Sequence, residues 1–319
     1  MQGLEALYEI TNRVRKQLGK IILGQDAAVE HLLACFIAGG HVILEGVPGL
    51  GKTLLARTLA RITDAEFRRI QFTPDLLPSD IVGTNIFDMQ TSTFSLHRGP
   101  IFTEVLLADE INRTPPKSQA ALLEGMEERQ VTIDGVRHPL PELFFVMATQ
   151  NPVEYEGTYP LPETQLDRFM MKIIIEYPPK EAELGVIRSY ANGRDLHNLE
   201  SLIPSPIMAK NAVLKLRKLI LKVTVKEEVM EYIRGVTAET RDPAYVQLGG
   251  STRAAVALLQ AARALAALRG MAYVSPEEVK DASLPVLRHR IILRPEALID
   301  GLTPDYFLQN VLRRVTVPR

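Results

Sequence analysis

Short runs of aliphatic and β-branched residues alternate with helical stretches between residues 41 and 177. Four of these runs predict buried strands, at residues 41–45, 105–108, 144–149 and 172–176. Strands that alternate with helices in this way pair in parallel, and the helices cover both faces of the sheet. The first part of the chain is therefore predicted to fold as an α/β domain.

Two segments interrupt the alternation and predict β-hairpins. One spans residues 86–96, and the other turns at Asp134-Gly135 between residues 130–133 and 136–138. An Asp-Gly pair favours a tight hairpin turn because both residues tolerate positive φ. Both hairpins are expected to be insertions on the common α/β core.

The pattern changes at Tyr177-Pro178-Pro179-Lys180. Beyond this point helical periodicity dominates, as in residues 213–221 and in the Ala- and Leu-rich residues 254–268. We therefore predict a domain boundary here, with an α/β domain at residues 1–178 and a smaller all-α domain at residues 179–319.

The composition is that of an ordinary globular protein. The 319 residues are 46% hydrophobic and 24% charged with a formal net charge of -1, which gives no whole-chain electrostatic case for nucleic-acid binding. No apolar run approaches the roughly 20 residues of a membrane span, and the first 20 residues are charged and helical in pattern. We expect a cytoplasmic protein, with the single Cys35 as a buried structural thiol.

Residues 46–53 read Gly-Val-Pro-Gly-Leu-Gly-Lys-Thr, which matches the phosphate-binding loop pattern between a predicted strand and a predicted helix. In such a loop backbone N–H groups point at phosphate oxygens, Lys52 neutralises the outer phosphates and Thr53 offers a hydroxyl to Mg²⁺. The sequence therefore predicts bound ATP with Mg²⁺. The predicted contacts along the loop are Gly46, Pro48, Gly49, Leu50, Gly51, Lys52, Thr53 and Leu54.

Two acids and an amide follow predicted strands. A magnesium–triphosphate site needs an acid at the end of a neighbouring strand, and hydrolysis needs a base that orients water. Asp109 is predicted to act on the magnesium, directly or through water, and Glu110 to polarise the attacking water. Asn151 is predicted to contact the γ-phosphate or to hold the attacking water. The plainer alternative is that it only caps the loop before Pro152.

Two arginines are candidates for stabilising the charge of the transition state. Arg168 follows the short stretch Leu-Pro-Glu-Thr-Gln-Leu-Asp at residues 161–167. Arg253 lies just inside a predicted helix start in the second domain. An arginine finger at the γ-phosphate accelerates hydrolysis by roughly 10³- to 10⁵-fold. The plainer alternatives are an ion pair of Arg168 with Asp167 and an exposed Arg253.

Other polar residues give weaker signals. Arg113 either faces an adjoining subunit or is an exposed loop arginine, and Glu154, Tyr155 and Glu156 form either a subunit-contact loop or a solvated one. The six histidines show no pairing at metal-ligand spacing, so no zinc site is predicted.

Together these motifs resemble those of the AAA+ ATPases and, within them, closely those of the MoxR family. The resemblance spans nearly the whole chain. The matching runs are Gly24-Gln25 after residues 21–23, GVPGLGKT at 46–53 (Walker A), LLADE at 106–110 (Walker B) with Ile111-Asn112-Arg113, ATQNP at 148–152 (sensor 1), LPETQLDRF at 161–169 and GGSTRA at 249–254 (sensor 2).

The resemblance implies a P-loop AAA+ fold, in which a helical lid domain follows a parallel sheet flanked by helices with insert hairpins. It also implies that Ile22 and Gly24 lie near the adenine, that Arg168 is a finger reaching the neighbouring subunit's nucleotide, and that Arg253 is sensor 2. The working unit would be a homo-oligomeric ring, usually a hexamer. Family members act as chaperone-like ATPases that mature or activate protein complexes, often with a partner carrying a von Willebrand factor A domain.

We therefore expect a ring-forming ATPase that remodels a protein client. A nucleic-acid motor or loader on the same core is the alternative, although Lys215, Arg217, Lys218 and Lys222 look like a solvated helix face. A small-molecule kinase fits less well, because a kinase has no use for the lid arginine and the finger.

Overall fold

The computed structural model describes residues 2–152 and 157–318, with strands and helices in mixed order. The strands are β1 (Val42–Glu45), β2 (Phe67–Gln71), β3 (Gly83–Asp88), β4 (Thr93–Arg98), β5 (Val105–Asp109), β6 (Gln130–Ile133), β7 (Val136–Pro139), β8 (Phe145–Gln150), β9 (Met171–Ile174), β10 (Val246–Leu248) and β11 (Ile292–Leu293). The helices are α1 (Gln2–Gly19), α2 (Asp26–Ala38), α3 (Lys52–Thr63), α4 (Pro78–Val82), α5 (Pro116–Glu128), α6 (Glu163–Leu166), α7 (Lys180–Ala191), α8 (Leu199–Leu202), α9 (Lys210–Ile220), α10 (Glu227–Glu239), α11 (Thr252–Leu268), α12 (Pro276–Leu287), α13 (Pro295–Ile299) and α14 (Pro304–Arg314).

A parallel five-stranded sheet lies at the centre of the fold, in the order β2-β5-β8-β1-β9. The four predicted strands are confirmed as β1, β5, β8 and β9, each within two residues of its predicted ends. The strand β2 was not predicted because its sequence, Phe-Arg-Arg-Ile-Gln, lacks a continuous apolar run. As an edge strand, β2 leaves Arg68 and Arg69 exposed, so its pattern does not match that of a buried strand.

Two antiparallel hairpins project from this core, as predicted. The pair β3–β4 and the pair β6–β7 each form a separate two-stranded sheet. Asp134 and Gly135 have positive φ of 49° and 80° at the second turn, as a tight hairpin requires. Asn85 on β3 donates to the Asp134 carboxylate at 2.7 Å, so the two hairpins contact each other.

The C-terminal helices pack against the N-terminal ones. One apolar core joins α1, α2 and one face of the sheet to α9, α11 and α12, while a second core covers the other face under α4 and α5. Cys35 is fully buried in the first core, and burial raises the pKa of its thiol, as expected for a structural cysteine. Within the described residues, no helix is both long and apolar enough to cross a membrane.

The α/β part and the helical part follow one another as predicted. The last strand of the central sheet ends at Ile174 and α7 begins at Lys180. A boundary between residues 178 and 179 stays a prediction, because residues of α7 line a cavity together with residues of the α/β part.

Candidate nucleotide site and its arginine cluster

The segment 46–53 runs from the end of β1 to the start of α3, which begins at Lys52. Gly49 and Gly51 have φ of 86° and 79°, in the left-handed region that favours glycine. The start of α3 presents backbone N–H groups and positive potential, which together attract anions. The segment thus has the local structure that the sequence predicts for a phosphate-binding loop.

The Lys52 ammonium lies within this loop. It donates to the carbonyl oxygen of Gly46 and, at 2.9 Å, to that of Val47. Partial burial lowers the pKa of Lys52, whereas the carboxylates of Asp109 and Glu110 raise it. A phosphate beside the ammonium would favour the charged form in the same way as these acids.

A cavity of about 790 Å³ opens above the loop, a size typical of small-molecule sites. The predicted residues that line it are Ile22, Pro48, Gly49, Leu50, Gly51, Lys52, Thr53, Leu54, Asp109, Glu110 and Asn151. The structure therefore brings together Ile22 between α1 and α2, the phosphate-binding loop, and the C-terminal ends of β5 and β8. Asn151 is 8% exposed and follows β8 directly, as predicted.

Two predicted contacts, Gly24 and Gly46, are not among the described residues that line this cavity. A Cβ built on Gly24 would lie 2.6 Å from the Ala182 side chain, and one built on Gly46 would lie 2.5 Å from the carbonyl oxygen of Ile175. The backbone N–H of Gly46 donates to the carbonyl of Gln150 at 3.3 Å. Both glycines thus permit close backbone packing, and their contacts with a ligand stay a prediction.

Residues that the sequence assigned to the second domain also line the cavity. They include Ile187 and Tyr190 on α7 and His197 beyond that helix. Ile187 and Tyr190 are 58% and 46% exposed although they are large and apolar, and they lie three residues apart on one face of the helix. This exposed pair provides an apolar wall suited to a nucleobase.

The acids at the end of β5 are held by a hydrogen-bond network. One Asp109 oxygen accepts from the Thr149 hydroxyl at 2.5 Å, and the other accepts from Arg69 at 2.6 Å. The Thr149 hydroxyl in turn accepts from the backbone N–H of Glu110 at 2.8 Å. No individual role was predicted for Thr149, although it lies in the ATQNP run, and none for Arg69, because it lies on the unpredicted strand β2.

Glu110 has an unusual backbone and two side-chain donors. Its φ and ψ are 56° and 50°, a left-handed conformation that costs a non-glycine residue on the order of 1–3 kcal/mol and is common at functional sites. Its carboxylate accepts from Gln71 at 2.7 Å and from Arg113 at 3.0 Å. Arg113 therefore has a partner that neither of its predicted alternatives named.

The loop containing Glu154, Tyr155 and Glu156 lies outside the described residues.

The oxygen donors at the cavity fit a magnesium ion that arrives with a nucleotide. The Thr53 hydroxyl and the Asp109 carboxylate both line the cavity, and Mg²⁺ prefers oxygen ligands. Among the described residues, no group of three or more His, Cys, Asp or Glu side chains could hold a metal ion. Magnesium would therefore need phosphate oxygens as ligands in addition to Thr53 and Asp109. It would neutralise negative charge on the phosphates.

The two predicted arginines form a cluster of their own. Neither is among the described residues that line the cavity. Arg168 contacts the Glu127 carboxylate at 3.0 Å and donates to the carbonyl of Leu123 at 2.7 Å. Arg253 donates to the same carboxylate at 2.7 Å and approaches Asp167 at 3.7 Å. The structure thus pairs Arg168 with Glu127 and not with Asp167, the expected alternative. Arg253 is 52% exposed, as its alternative expected, but it forms ion pairs with Glu127 and Asp167.

A buried arginine ties this cluster to the helical part. Arg290, beyond α12, is 7% exposed and contacts Asp167 at 2.6 Å. Its guanidinium also donates to the carbonyls of Phe169 at 2.7 Å and Met170 at 3.0 Å. Burial lowers the pKa of Arg290, while Asp167 counteracts that shift. The segment that carries Arg168 is therefore fixed from the lid side.

Replacing Arg290 with alanine should destabilise the protein by about 3 kcal/mol, because Asp167 and several carbonyls would lose a buried partner. The free energy of unfolding from denaturant titration would measure this. Arg314→Ala is the matched control, since it removes an exposed pair with Asp242 and should cost less than about 1 kcal/mol. Equal effects of the two substitutions would contradict the assignment.

Two family descriptions match the sequence in the order of its two parts. The description "ATPase family associated with various cellular activities (AAA)" covers residues 41–171, and "AAA lid domain" covers residues 238–311. The predicted succession of a nucleotide-binding α/β part and a helical lid is thereby confirmed.

Several relatives align over nearly the whole chain. Chaperone MoxR1 of Mycobacterium tuberculosis is 42% identical over 100% of this chain and 85% of its own length. Protein MoxR of Methylorubrum extorquens is 30% identical over 96% of this chain and 94% of its own. A crystal structure of a protein from Cytophaga hutchinsonii matches with a TM-score of 0.90 and 44% identity, covering 100% of this chain and 98% of that one.

Proposed function

Because the chain belongs to the MoxR family of AAA+ ATPases and is an ATP hydrolase, we propose that it works as a ring that couples hydrolysis to the remodelling of protein complexes. The observation that carries the proposal is the separation of the phosphate-loop cavity from the two arginines. Each subunit then supplies two different halves of a hydrolytic site.

The first half binds ATP and activates water. Lys52 binds the outer phosphates as a point charge, and the loop backbone donates to the remaining oxygens. Thr53 and Asp109 would hold magnesium, which would supply positive charge at the phosphates. Glu110 takes the proton of the attacking water while Asn151 orients that water. The apolar wall near Ile22 and Tyr190 packs on the base.

The second half is the arginine cluster. Arg168 and Arg253 share one carboxylate, and neither is among the described residues that line the cavity of its own chain, so we assign both to the γ-phosphate of a neighbouring subunit. Arg253 would therefore act beside Arg168 on a neighbour, and not as a sensor of its own nucleotide. A closed ring places every arginine cluster against the next cavity. By family resemblance, we propose six subunits.

The work done by this ring is proposed to be chaperone-like. The Mycobacterium tuberculosis relative carries the name of a chaperone. Family resemblance suggests a partner with a von Willebrand factor A domain, and the client is a protein complex. A nucleic-acid motor remains less favoured on the net charge of -1.

Mixing two inactive variants tests the trans arrangement. Arg168→Ala lacks the finger and Glu110→Gln lacks the base, so each alone should hydrolyse ATP very slowly. In rings mixed at equal amounts, about a quarter of the interfaces would pair an intact Glu110 with an intact Arg168, and phosphate release should recover. If the two proteins co-assemble and no activity returns, the arginine does not act across the interface.

A further inference from the structure

Glu127, near the C-terminal end of α5, contacts both arginines with different oxygen atoms. Its Oε1 accepts from Arg253 at 2.7 Å, and its Oε2 lies 3.0 Å from Arg168. Arg168 belongs to the α/β part and Arg253 to the first turn of α11 in the lid. One carboxylate therefore joins charged groups that lie far apart in the sequence.

The electrostatics of this contact favour a fixed arrangement. Two guanidiniums so close together would repel each other, and the shared carboxylate offsets that repulsion. The hydrogen bond from Arg253 and the charge of Arg168 lower the pKa of Glu127, so its carboxylate is charged at neutral pH. Asp167 adds a second link, because it contacts Arg253 at 3.7 Å and the buried Arg290 at 2.6 Å.

Both guanidiniums keep capacity for a phosphate ligand. A guanidinium has five N–H donors in a rigid fork. Arg168 uses two of its nitrogens on Glu127 and the carbonyl of Leu123, and the side chain remains 29% exposed. Arg253 contacts Glu127 and Asp167 and is 52% exposed. The carboxylate thus restrains the arginines without covering them.

We propose that Glu127 is a positioning residue that presents Arg168 and Arg253 as one cationic unit to the triphosphate held by the neighbouring subunit. The proposal rests on the trans arrangement described above. It also implies that the lid affects hydrolysis, because a movement of α11 would shift Arg253 and, through the shared carboxylate, Arg168. Glu127 does not itself contact the reacting atoms.

Kinetics of Glu127→Gln test this role. The amide keeps the size but loses the charge that holds two guanidiniums, so kcat should fall about 10- to 100-fold, as expected when catalytic groups are misplaced by about 1 Å. The KM for ATP should stay within about twofold because the cavity is untouched. Glu128→Gln, an exposed carboxylate next in sequence, is the control and should retain wild-type kcat. An unchanged kcat in Glu127→Gln, or an equal loss in Glu128→Gln, would overturn the proposal.

Complementation places the defect on one side of the interface. Glu127→Gln mixed with Glu110→Gln should regain activity, because the intact base and the intact arginine unit come from different subunits. Glu127→Gln mixed with Arg168→Ala should gain nothing, since both defects lie on the arginine side. A gain in the second mixture would show that Glu127 acts at its own nucleotide, and no gain in the first would remove the positioning role.

The two proposals fail in different ways. If Arg168→Ala and Glu110→Gln do not complement although they co-assemble, the trans arrangement itself is wrong. If that pair complements while the Glu127→Gln mixtures behave otherwise than described, only the role of Glu127 is wrong. Adding Glu127→Gln to the Arg168→Ala, Arg253→Ala double variant should cause no further loss of kcat, because Glu127 acts through these arginines.

Discussion

Glu110→Gln should lower the rate of ATP hydrolysis by about 10²- to 10⁴-fold and leave ATP binding intact. The amide has the shape of the carboxylate but cannot accept a proton from water. Gln71 and Arg113 contact the Glu110 side chain, and the substitution leaves the residues of the phosphate loop unchanged, so nucleotide contacts should survive. Phosphate release and the Kd of a fluorescent ATP analogue would separate the two effects.

Glu124→Gln is the matched control for this substitution. Glu124 is also a carboxylate with a hydrogen-bond partner, Thr132, but it is not among the described residues that line the cavity. It should hydrolyse ATP at the wild-type rate. If folded Glu110→Gln protein turned over ATP as fast as the wild type, another residue would have to be the base.

Lys52→Ala should weaken ATP binding by about 100-fold or more. Hydrogen bonds to charged groups contribute about 1.5–3 kcal/mol each, and the ammonium can make more than one to the outer phosphates. Lys52→Arg keeps the charge, but its planar fork does not match a site built for a compact ammonium, so binding should also fall. Equilibrium binding of the same ATP analogue would measure both variants.

The fold should tolerate the loss of Lys52. Its donors go to carbonyls of the loop itself, Gly46 and Val47, and not to the apolar core. The unfolding temperature without nucleotide should therefore stay close to that of Lys117→Ala, an exposed lysine on α5. ATP should stabilise the control and not Lys52→Ala, because a ligand stabilises only a state that binds it. Tight ATP binding by folded Lys52→Ala protein would contradict the assigned role.

The local parts of the site could be predicted from the sequence. The phosphate loop and the acids after β5 are defined within a few residues of a strand end, and parallel strands bring such ends to one edge of a sheet. The cavity accordingly contains Lys52, Thr53, Asp109, Glu110 and Asn151. The role of each glycine was less predictable, since a glycine at a given position can serve either close backbone packing or contact with a ligand.

The long-range parts could not be predicted. Glu127 and Arg253 are separated by 126 positions, and no local pattern indicates that their side chains meet. Similarly, α7 was assigned to the second domain by its helical pattern, whereas Ile187 and Tyr190 complete the wall of the cavity. The edge strand β2 escaped detection because its exposed arginines do not match the pattern of a buried strand, and Arg69 and Gln71 were lost with it.

The molecular mass of ATP-bound Glu110→Gln protein is the measurement that tests the central claim most directly. This variant binds ATP without consuming it, so the assembled state should persist during light scattering or mass photometry. We expect a closed ring with a mass about six times that of one chain, which the Lys52→Ala protein should not form with ATP. A monomeric mass at every concentration tested with ATP would contradict a site that is completed by the neighbouring subunit.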